Sequence, residues 1–329
     1  MNILVTGCFG FIGFNFVQYI LKKPDSSIKI TGVDNLNNAY STINSENFKH
    51  KNFNFHKLDI NNIENLDSKK TSFDLIINFA AESHVDTSIY NPQAFIHSNI
   101  SGLQSVLNFA RKYGIKRTIH LSTDEVYGSS KKDFFTEKDN LNPSSPYSAS
   151  KAGADMIINS YQKTYDMDIT LIRPANNYGP FQQPEKLIPF SISKILKGEN
   201  IEIYGDGSNI RHWLYVEDTV RGILKIIDEG SVSEIYNIGS GEYFSNNEIA
   251  LSLISENNMS KDSIVYIKDR PGHDFRYAAD FSKLLNLGWK PRVTFNEGIK
   301  TTLSWYSENQ SWLYKDIKTI NQNRNKRFI

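Results

Sequence analysis

The stretch Thr6-Gly7-Cys8-Phe9-Gly10-Phe11-Ile12-Gly13 follows an apolar, β-branched run over residues 3–6 and leads straight into an amphipathic stretch over 11–22. Glycines spaced G-x-x-G-x-x-G between a strand and a helix meet one physical need. They form a tight turn that brings backbone close to a pyrophosphate, while the helix N-terminus supplies amide donors and positive potential. A glycine-rich loop alone is an even bet with a structural turn. Its place here, strand before and helix after, favours a dinucleotide. Asp34 lies 21 residues beyond Gly13, at the end of the second apolar run. A carboxylate there can accept ribose hydroxyls and would repel a 2′-phosphate, so NAD is expected rather than NADP. Asp59 and Ile60, after the third run, are placed to meet the adenine edge.

Working outward, apolar runs over 3–6, 28–33, 54–58, 75–79, 118–121 and 169–172 alternate with amphipathic stretches over 11–22, 92–112 and 147–165. Nearly continuous buried strands separated by helices predict an α/β fold, a Rossmann-type doubly wound parallel sheet. After Gly179-Pro180 the pattern is less regular. The expected division is an NAD-binding domain over 1–179 and a smaller C-terminal α/β substrate-binding domain over 180–329. A helix over 216–229, within about 212–235, is expected to return to the first domain. The tail over 318–329, with Lys318, Arg324, Lys326 and Arg327, is expected to be frayed and solvated.

Composition excludes several classes. Lys+Arg 37 against Asp+Glu 36 leaves a formal charge of +1, no global field for nucleic acid or an anionic membrane. Cys8 is the only cysteine, so no intrachain disulfide can form. Seven histidines lack metal-ligand spacing, and no metal is expected. Met1-Asn2 enters a strand directly and no apolar run reaches membrane-spanning length, so a cytoplasmic protein is expected.

The chemistry is carried by Ser122-Thr123-Asp124-Glu125-Val126-Tyr127-Gly128 and Tyr147-Ser148-Ala149-Ser150-Lys151. Lys151, four residues after Tyr147 on a helix, shares its face. Its charge, with that of an oxidised nicotinamide, favours a phenolate able to take a hydroxyl proton as hydride leaves carbon. Thr123 is expected to hydrogen-bond the same substrate oxygen. Oxidising a sugar at C4 acidifies its C5 proton. Glu125 is the expected base there, and Asp124, kept protonated, the expected acid for the departing C6 hydroxyl. Without the flanking motifs, two acids at a strand end would read as solvated or capping residues.

Taken together, these residues resemble the extended short-chain dehydrogenase/reductase family, and most closely its dTDP-glucose 4,6-dehydratases. The resemblance runs through Ala80-Ala81-Glu82-Ser83-His84-Val85-Asp86, Asn176-Asn177-Tyr178-Gly179-Pro180, Pro184-Glu185-Lys186-Leu187-Ile188-Pro189 and Asp269-Arg270-Pro271-Gly272-His273-Asp274. It implies a hydro-lyase of nucleotide-sugar metabolism and deoxysugar biosynthesis, turning dTDP-glucose into its 4-keto-6-deoxy product on tightly held NAD. By resemblance Phe11, Ile12, Asp34, Asn35, Leu36, Asn37, Asp59, Ile60, Phe79, Ala80, Ala81, Glu82, Ser83 and Ser98 line the NAD site with Tyr147, Lys151 and Asn177. Ser83, Thr123 and Asn176 would meet the hexose or diphosphate. Lys186, Leu187, Ile188, Pro189, Tyr204, Arg211, Asn246, Asp269, Arg270, Pro271, Gly272 and His273 would bind nucleotide and diphosphate. On the residues alone, Arg211 and Arg270 suit a diphosphate better than a surface, Lys186 suits solvent as well as a ligand, and Asn246 could simply cap a helix. The resemblance also implies a homodimer through a four-helix bundle of the stretches over 92–112 and 147–165.

Two positions depart from the bacterial dTDP-glucose enzymes: Thr87, where they usually have arginine, and His212, where they usually have aspartate. UDP-glucose 4,6-dehydratases share Thr-Asp-Glu and Pro-Glu-Lys-Leu-Ile-Pro, so that substrate stays open; the further alternatives are nucleotide-sugar 4-epimerisation or decarboxylation on the same scaffold and a catalytically idle NAD-binding sensor or scaffold.

Overall fold

The computed structural model describes residues 1–22, 27–66, 72–131, 133–257 and 259–325, with side chains given through residue 321. From the N-terminus the chain runs β1 (Asn2–Thr6), α1 (Phe11–Leu21), β2 (Lys29–Asp34), α2 (Ala39–Asn47), β3 (Phe53–Lys57) and β4 (Leu75–Asn78). Then come α3 (Val85–Tyr90), α4 (Pro92–Phe95), α5 (Leu103–Lys112), β5 (Arg117–Leu121), α6 (Pro146–Tyr165), β6 (Asp168–Pro174) and β7 (Asn176–Tyr178). The rest comprises α7 (Leu187–Ile195), β8 (Ile201–Tyr204), β9 (Ile210–Tyr215), α8 (Val216–Glu229), β10 (Ile235–Ile238), β11 (Tyr243–Ser245) and α9 (Asn246–Glu256). It ends with β12 (Ile264–Ile267), α10 (Ser282–Asn286), α11 (Phe295–Glu308), α12 (Gln310–Leu313) and α13 (Ile317–Asn325).

Seven parallel strands lie in the order β10-β6-β5-β4-β1-β2-β3. The six predicted strands are all present, because a central parallel strand is covered on both faces and must read as a continuous apolar run. Every residue of β4 is buried. The order reverses between β1 and β4, the point at which an open α/β sheet leaves a crevice at its carboxyl edge. The helix predicted over 216–229 is α8; it packs on α1 and feeds β10, which joins the sheet beside β6. A three-stranded sheet, β11-β9-β7, and a two-stranded one, β12-β8, surround a second apolar core containing Phe190, Trp213, Leu253, Phe295 and Tyr306.

The helix expected over 92–112 is present but irregular: a π-helical turn, Ile96–Gly102, joins α4 to α5. One expectation needs correction. Part of the supposedly frayed tail is ordered as α13. Ile317 and Ile320 are buried in the second core, and Trp312 Nε1 donates to Asn44 Oδ1 at 2.8 Å. These apolar residues outweigh the basic ones that follow; Lys326 and Arg327 lie outside the described residues. Among the described residues no helix is long and apolar enough to cross a membrane.

Helix α6 is tied to the sheet by a buried ion pair. Arg173 Nε donates to Asp155 Oδ2 at 2.9 Å, and its NH1 donates to the Tyr127 hydroxyl at 2.7 Å. The Asp155→Ala variant strands a buried guanidinium and should cost about 3–5 kcal/mol in urea unfolding. The double variant Asp155→Ala/Arg173→Met should recover most of that loss.

Candidate active site

A cavity of ≈ 500 Å³ opens where the strand order reverses. Its floor is the loop after β1. Gly7 has φ +67°, and a Cβ there would lie 2.6 Å from the Ala80 nitrogen; a Cβ on Gly13 would overlap the Gly7 carbonyl oxygen. Only glycine keeps this loop tight enough to set the first turn of α1 against the cavity. No side chain caps α1, which leaves its N-terminal amides to a ligand. Asp34 lines the same cavity from the end of β2. Its Oδ2 accepts from Phe9 N at 3.1 Å and its Oδ1 from Leu36 N at 2.9 Å, so the loop and the carboxylate position each other. Burial pushes the Asp34 carboxyl up, and these amides offset part of the rise. Amide cradle, helix terminus and ribose-facing carboxylate fit a dinucleotide.

All the residues expected at the cofactor line this cavity except Leu36. Leu36 turns through φ +55° and packs its side chain on the core. Asn35 Nδ2 donates to Asp59 Oδ2 at 3.0 Å and Asn37 Nδ2 to Glu82 Oε1 at 2.5 Å, joining the loops after β2, β3 and β4. The π-helical turn brings Ser98 to the cavity and aims Asn99 inward, where its amide bonds the Glu82 backbone at 2.8 and 3.0 Å. An inserted residue in a helix re-aims side chains in this way. Asn177 spends its amide on Ala175 O and the Thr219 hydroxyl, whereas Asn176 Oδ1 is buried with no protein partner.

The chemical residues sit at the opposite wall. Thr123 caps a 3-10 turn, Asp124–Tyr127, that starts where β5 ends, and its Oγ1 accepts from Glu125 N at 3.3 Å. Ser145 and Ser148 form a capping box at the start of α6, which fixes Tyr147 and Lys151 on its first two turns. Thr123, Glu125, Tyr147 and Lys151 line the cavity; Asp124 does not, and lies buried beside them. Burial, then the neighbouring Glu125 charge, pushes the Asp124 carboxyl well up, and its Oδ2 has no protein partner. Burial pulls the Lys151 ammonium down to about 8. The Tyr147 phenol moves up, again by burial and then by Glu125, despite a hydrogen bond from Thr123 that opposes the rise.

A second cluster adjoins Glu125. Arg211 stacks on the Tyr277 ring at 4.3 Å, and Arg270 NH1 donates to Asp86 Oδ1 at 3.2 Å. His273 Nδ1 is 2.7 Å from Asp269 Oδ1. Burial, then Arg270 and Arg211, pulls His273 down to about 4. Tyr204 donates to Asp86 Oδ2 at 2.9 Å, and Gly272 at φ +64° lets its loop pass the Ser144 carbonyl. Pro271 is exposed. Of the residues expected at the nucleotide, only Lys186 lines the first cavity, its Nζ donating to Ser83 O at 2.6 Å. Leu187, Ile188 and Pro189 form the first turn of α7 on the second core. Asn246 opens α9, but its cap is Ser245, in a box with Glu248.

Sequence reasoning missed several groups. The Tyr277 hydroxyl lies 3.3 Å from Glu125 Oε2 and 2.8 Å from Asp274 Oδ2. Asp316, Thr319 and Ile320, from the end of the chain, wall the cavity near Asn38 and Tyr40. The one available signal was apolar spacing, Trp312, Leu313, Ile317 and Ile320.

Residues 4–302 match the GDP-mannose 4,6 dehydratase family. The chain belongs to that family. It is 44% identical to the low-salt glycan biosynthesis protein Agl12 of Haloferax volcanii, over 93% of this chain and 98% of that protein. A dTDP-glucose 4,6-dehydratase of Actinoplanes is 40% identical, over 95% of this chain and 99% of that enzyme. Among solved structures, DesIV, the dTDP-glucose 4,6-dehydratase of Streptomyces venezuelae with NAD bound, superposes with a TM-score of 0.91 at 39% identity. That match covers 95% of this chain and 98% of DesIV.

His212, one of the two positions at which the resemblance leads one to expect a different residue, has a structural account. His212 Nε2 accepts from Ser240 N and Gly241 N, both at 2.8 Å, and the ring stacks on Tyr243 at 4.3 Å. A neutral imidazole thus does the accepting that a carboxylate can do. Burial, then Arg276, pulls His212 down to about 3, against an ordinary value near 6.5. The unfolded chain therefore binds a proton first as pH falls. The stability linked to His212 is complete above about pH 6.5 and is lost toward pH 3, amounting to about 2–3 kcal/mol by about pH 4.5. His212→Gln keeps an acceptor and does not titrate, so its urea-unfolding stability should fall less steeply over that window.

Proposed function

We propose that the chain converts dTDP-glucose to dTDP-4-dehydro-6-deoxyglucose and water, as the dTDP-glucose 4,6-dehydratases it resembles are named to do. The observation that carries this reading is the placement of a buried, proton-retaining Asp124 and a cavity-lining Glu125 on one turn beside Tyr147 and Lys151. An epimerase of the same fold needs the tyrosine and lysine but no acid–base pair for elimination. The cavity lined by Gly7, Gly10, Asp34, Ser98, Tyr147 and Lys151 would hold NAD, which would supply acceptance of hydride from C4, its return to C6 and a positive charge favouring the Tyr147 phenolate.

Tyr147 accepts the C4 hydroxyl proton, with Thr123 hydrogen-bonded at the same oxygen. Glu125 then removes the C5 proton, now acidified by the adjacent carbonyl, and Asp124 protonates the C6 hydroxyl as it leaves as water. Asp124 suits the acid role because burial and the Glu125 charge favour its protonated form. Return of the C5 proton from Glu125, release of the C4 hydroxyl proton from Tyr147 to solvent and uptake of one proton from solvent by Asp124 together restore the starting state. Arg211, Arg270 and His273 are read as the diphosphate and nucleotide contacts: two guanidinium groups that act electrostatically on Glu125, outside the cavity lining, complement two phosphates. Residues 180–329, apart from α8 and β10, are read as the nucleotide-sugar half.

A cytoplasmic homodimer through α4–α5 and α6 completes the proposal. Ile96 is 42% exposed, Met156 53% and Tyr165 45% on those elements, apolar surface that a partner would cover.

With dTDP-glucose in deuterated water, the product should carry solvent deuterium at C5. Glu125→Gln should lose at least about 100-fold in turnover and abolish that exchange, while C4 oxidation still yields reduced cofactor. Asp124→Asn should retain C5 exchange and slow loss of the C6 oxygen. Wild-type-like turnover in either variant removes its assigned role, and absence of dehydration across dTDP-, UDP- and GDP-glucose defeats the reading.

A further inference from the structure

His120 does not line the cavity at the glycine-rich loop, is 1% exposed, and has no part in the reaction as described above. Its surroundings are nevertheless ordered around one reactive group. Its Nε2 lies 3.1 Å from Lys151 Nζ and its Nδ1 2.9 Å from Asn78 Nδ2; Asn78 Oδ1 in turn bonds the Thr6 hydroxyl. Thr6 pairs with Asn78 across β1 and β4, and Asn78 with His120 across β4 and β5. The three side chains therefore form one rung across adjacent strands, at the point where the sheet order reverses, and Lys151 of α6 closes it. We propose that this rung makes His120 a positioning residue: it keeps the Lys151 amine charged and aimed into the cavity beneath Tyr147. The inference rests on the roles given above to Tyr147 and Lys151.

The argument is a count of protons. An ammonium has three. One goes to Leu121 O at 2.6 Å and one to His120 Nε2, so the third is left for the cavity that Lys151 lines. Burial keeps His120 neutral, with a single ring proton. If Nε2 accepts from the ammonium, that proton sits on Nδ1 and must meet the Asn78 amide oxygen, which turns the Asn78 nitrogen toward Thr6. If Lys151 is neutral, the string runs in reverse, from Thr6 through Asn78 to a His120 Nε2–H that donates to the amine. The two amide orientations of Asn78 fit the same heavy-atom positions, so the polarity of the rung and the charge of Lys151 are one variable. The other charged and titratable groups about the amine are Tyr147 and Asp155 of α6, with Asp155 paired to Arg173 of β6. Asp124 and Glu125 of the 3-10 turn act on Tyr147. None of these replaces the acceptor that His120 supplies from the sheet.

The test is to titrate Lys151 directly, through the side-chain carbon resonance of ε-13C-lysine assigned by its loss in Lys151→Arg. In His120→Leu the charged amine loses an acceptor. Its titration should move down by about half a unit, a roughly threefold change in ionisation constant. The ascending limb of kcat/KM should move up, because the phenolate of Tyr147 loses a cation at a given pH. His120→Gln, which offers an amide oxygen, should restore both. Asn78→Asp can only accept, so it draws the ring proton to Nδ1 and should move the Lys151 titration up; it serves as the test if His120→Leu does not fold. A Lys151 titration unmoved in these variants overturns the proposal, even where turnover falls. A titration that moves as described in a protein that dehydrates no nucleotide sugar would instead leave the proposal standing and remove the reaction assigned to the site.

Discussion

An amine taken out of water must be given acceptors, and the arrangement around Lys151 follows from that requirement. The carbonyl of Leu121 meets it at 2.6 Å, which presses α6 against the end of β5. Asp155, one turn further along the same helix, is held by Arg173 of β6, so the helix is anchored to two neighbouring strands through charges that have no access to solvent. Buried charge is costly unless paired, and it shifts protons toward whichever group can be neutral. The consequence is visible on both sides of the amine. Asp124 and Tyr147 hold their protons strongly, and the lysine holds its own weakly. Proton transfers here are set by the dryness of the floor more than by any one charge pair, and an added positive ring above Tyr147 would act on a poised system.

Most of the fold was legible because a parallel sheet writes itself as uninterrupted apolar runs; the six runs read from the sequence are six adjacent strands, and the helix over 216–229 ends where expected. The loop after β1 was legible too, since glycine spacing follows from backbone clearance alone. What escaped was created by contacts between distant parts of the chain. Tyr277 reaches Glu125 from 152 residues away. His120 reads as one more residue of a strand until Asn78 and Lys151 are placed against it. The tail was judged by its basic residues, and the apolar ones, two or three per turn-and-a-half, were too sparse to announce a wall of the cavity. The break in the stretch over 92–112 leaves no mark in its periodicity.

The departures at Thr87 and His212 belong to one theme, the substitution of one acceptor or donor for another. Thr87 Oγ1 lies 2.7 Å from His84 Nδ1, and the guanidinium facing Asp86 comes from Arg270, 184 residues away. His212 receives two loop amides that hold residues 240 and 241 against Tyr243. His212 follows Arg211 on β9 and so supports the wall that carries that guanidinium, whereas Thr87 lines the cavity beside His84.

The π-helical turn at Ile96–Gly102 has a further consequence for how this part of the chain can vary in length. A helix advances roughly 100° per residue, so removing one residue within the turn would let α4 and α5 fuse into a regular rod. Everything on one side of the junction would then swing by that angle relative to the other. Either Ser98 would leave the cavity wall and Asn99 its bonds to the Glu82 backbone, or Val106 and Phe109 would leave the core. A single-residue deletion in this segment therefore cannot be absorbed as a loop would absorb it.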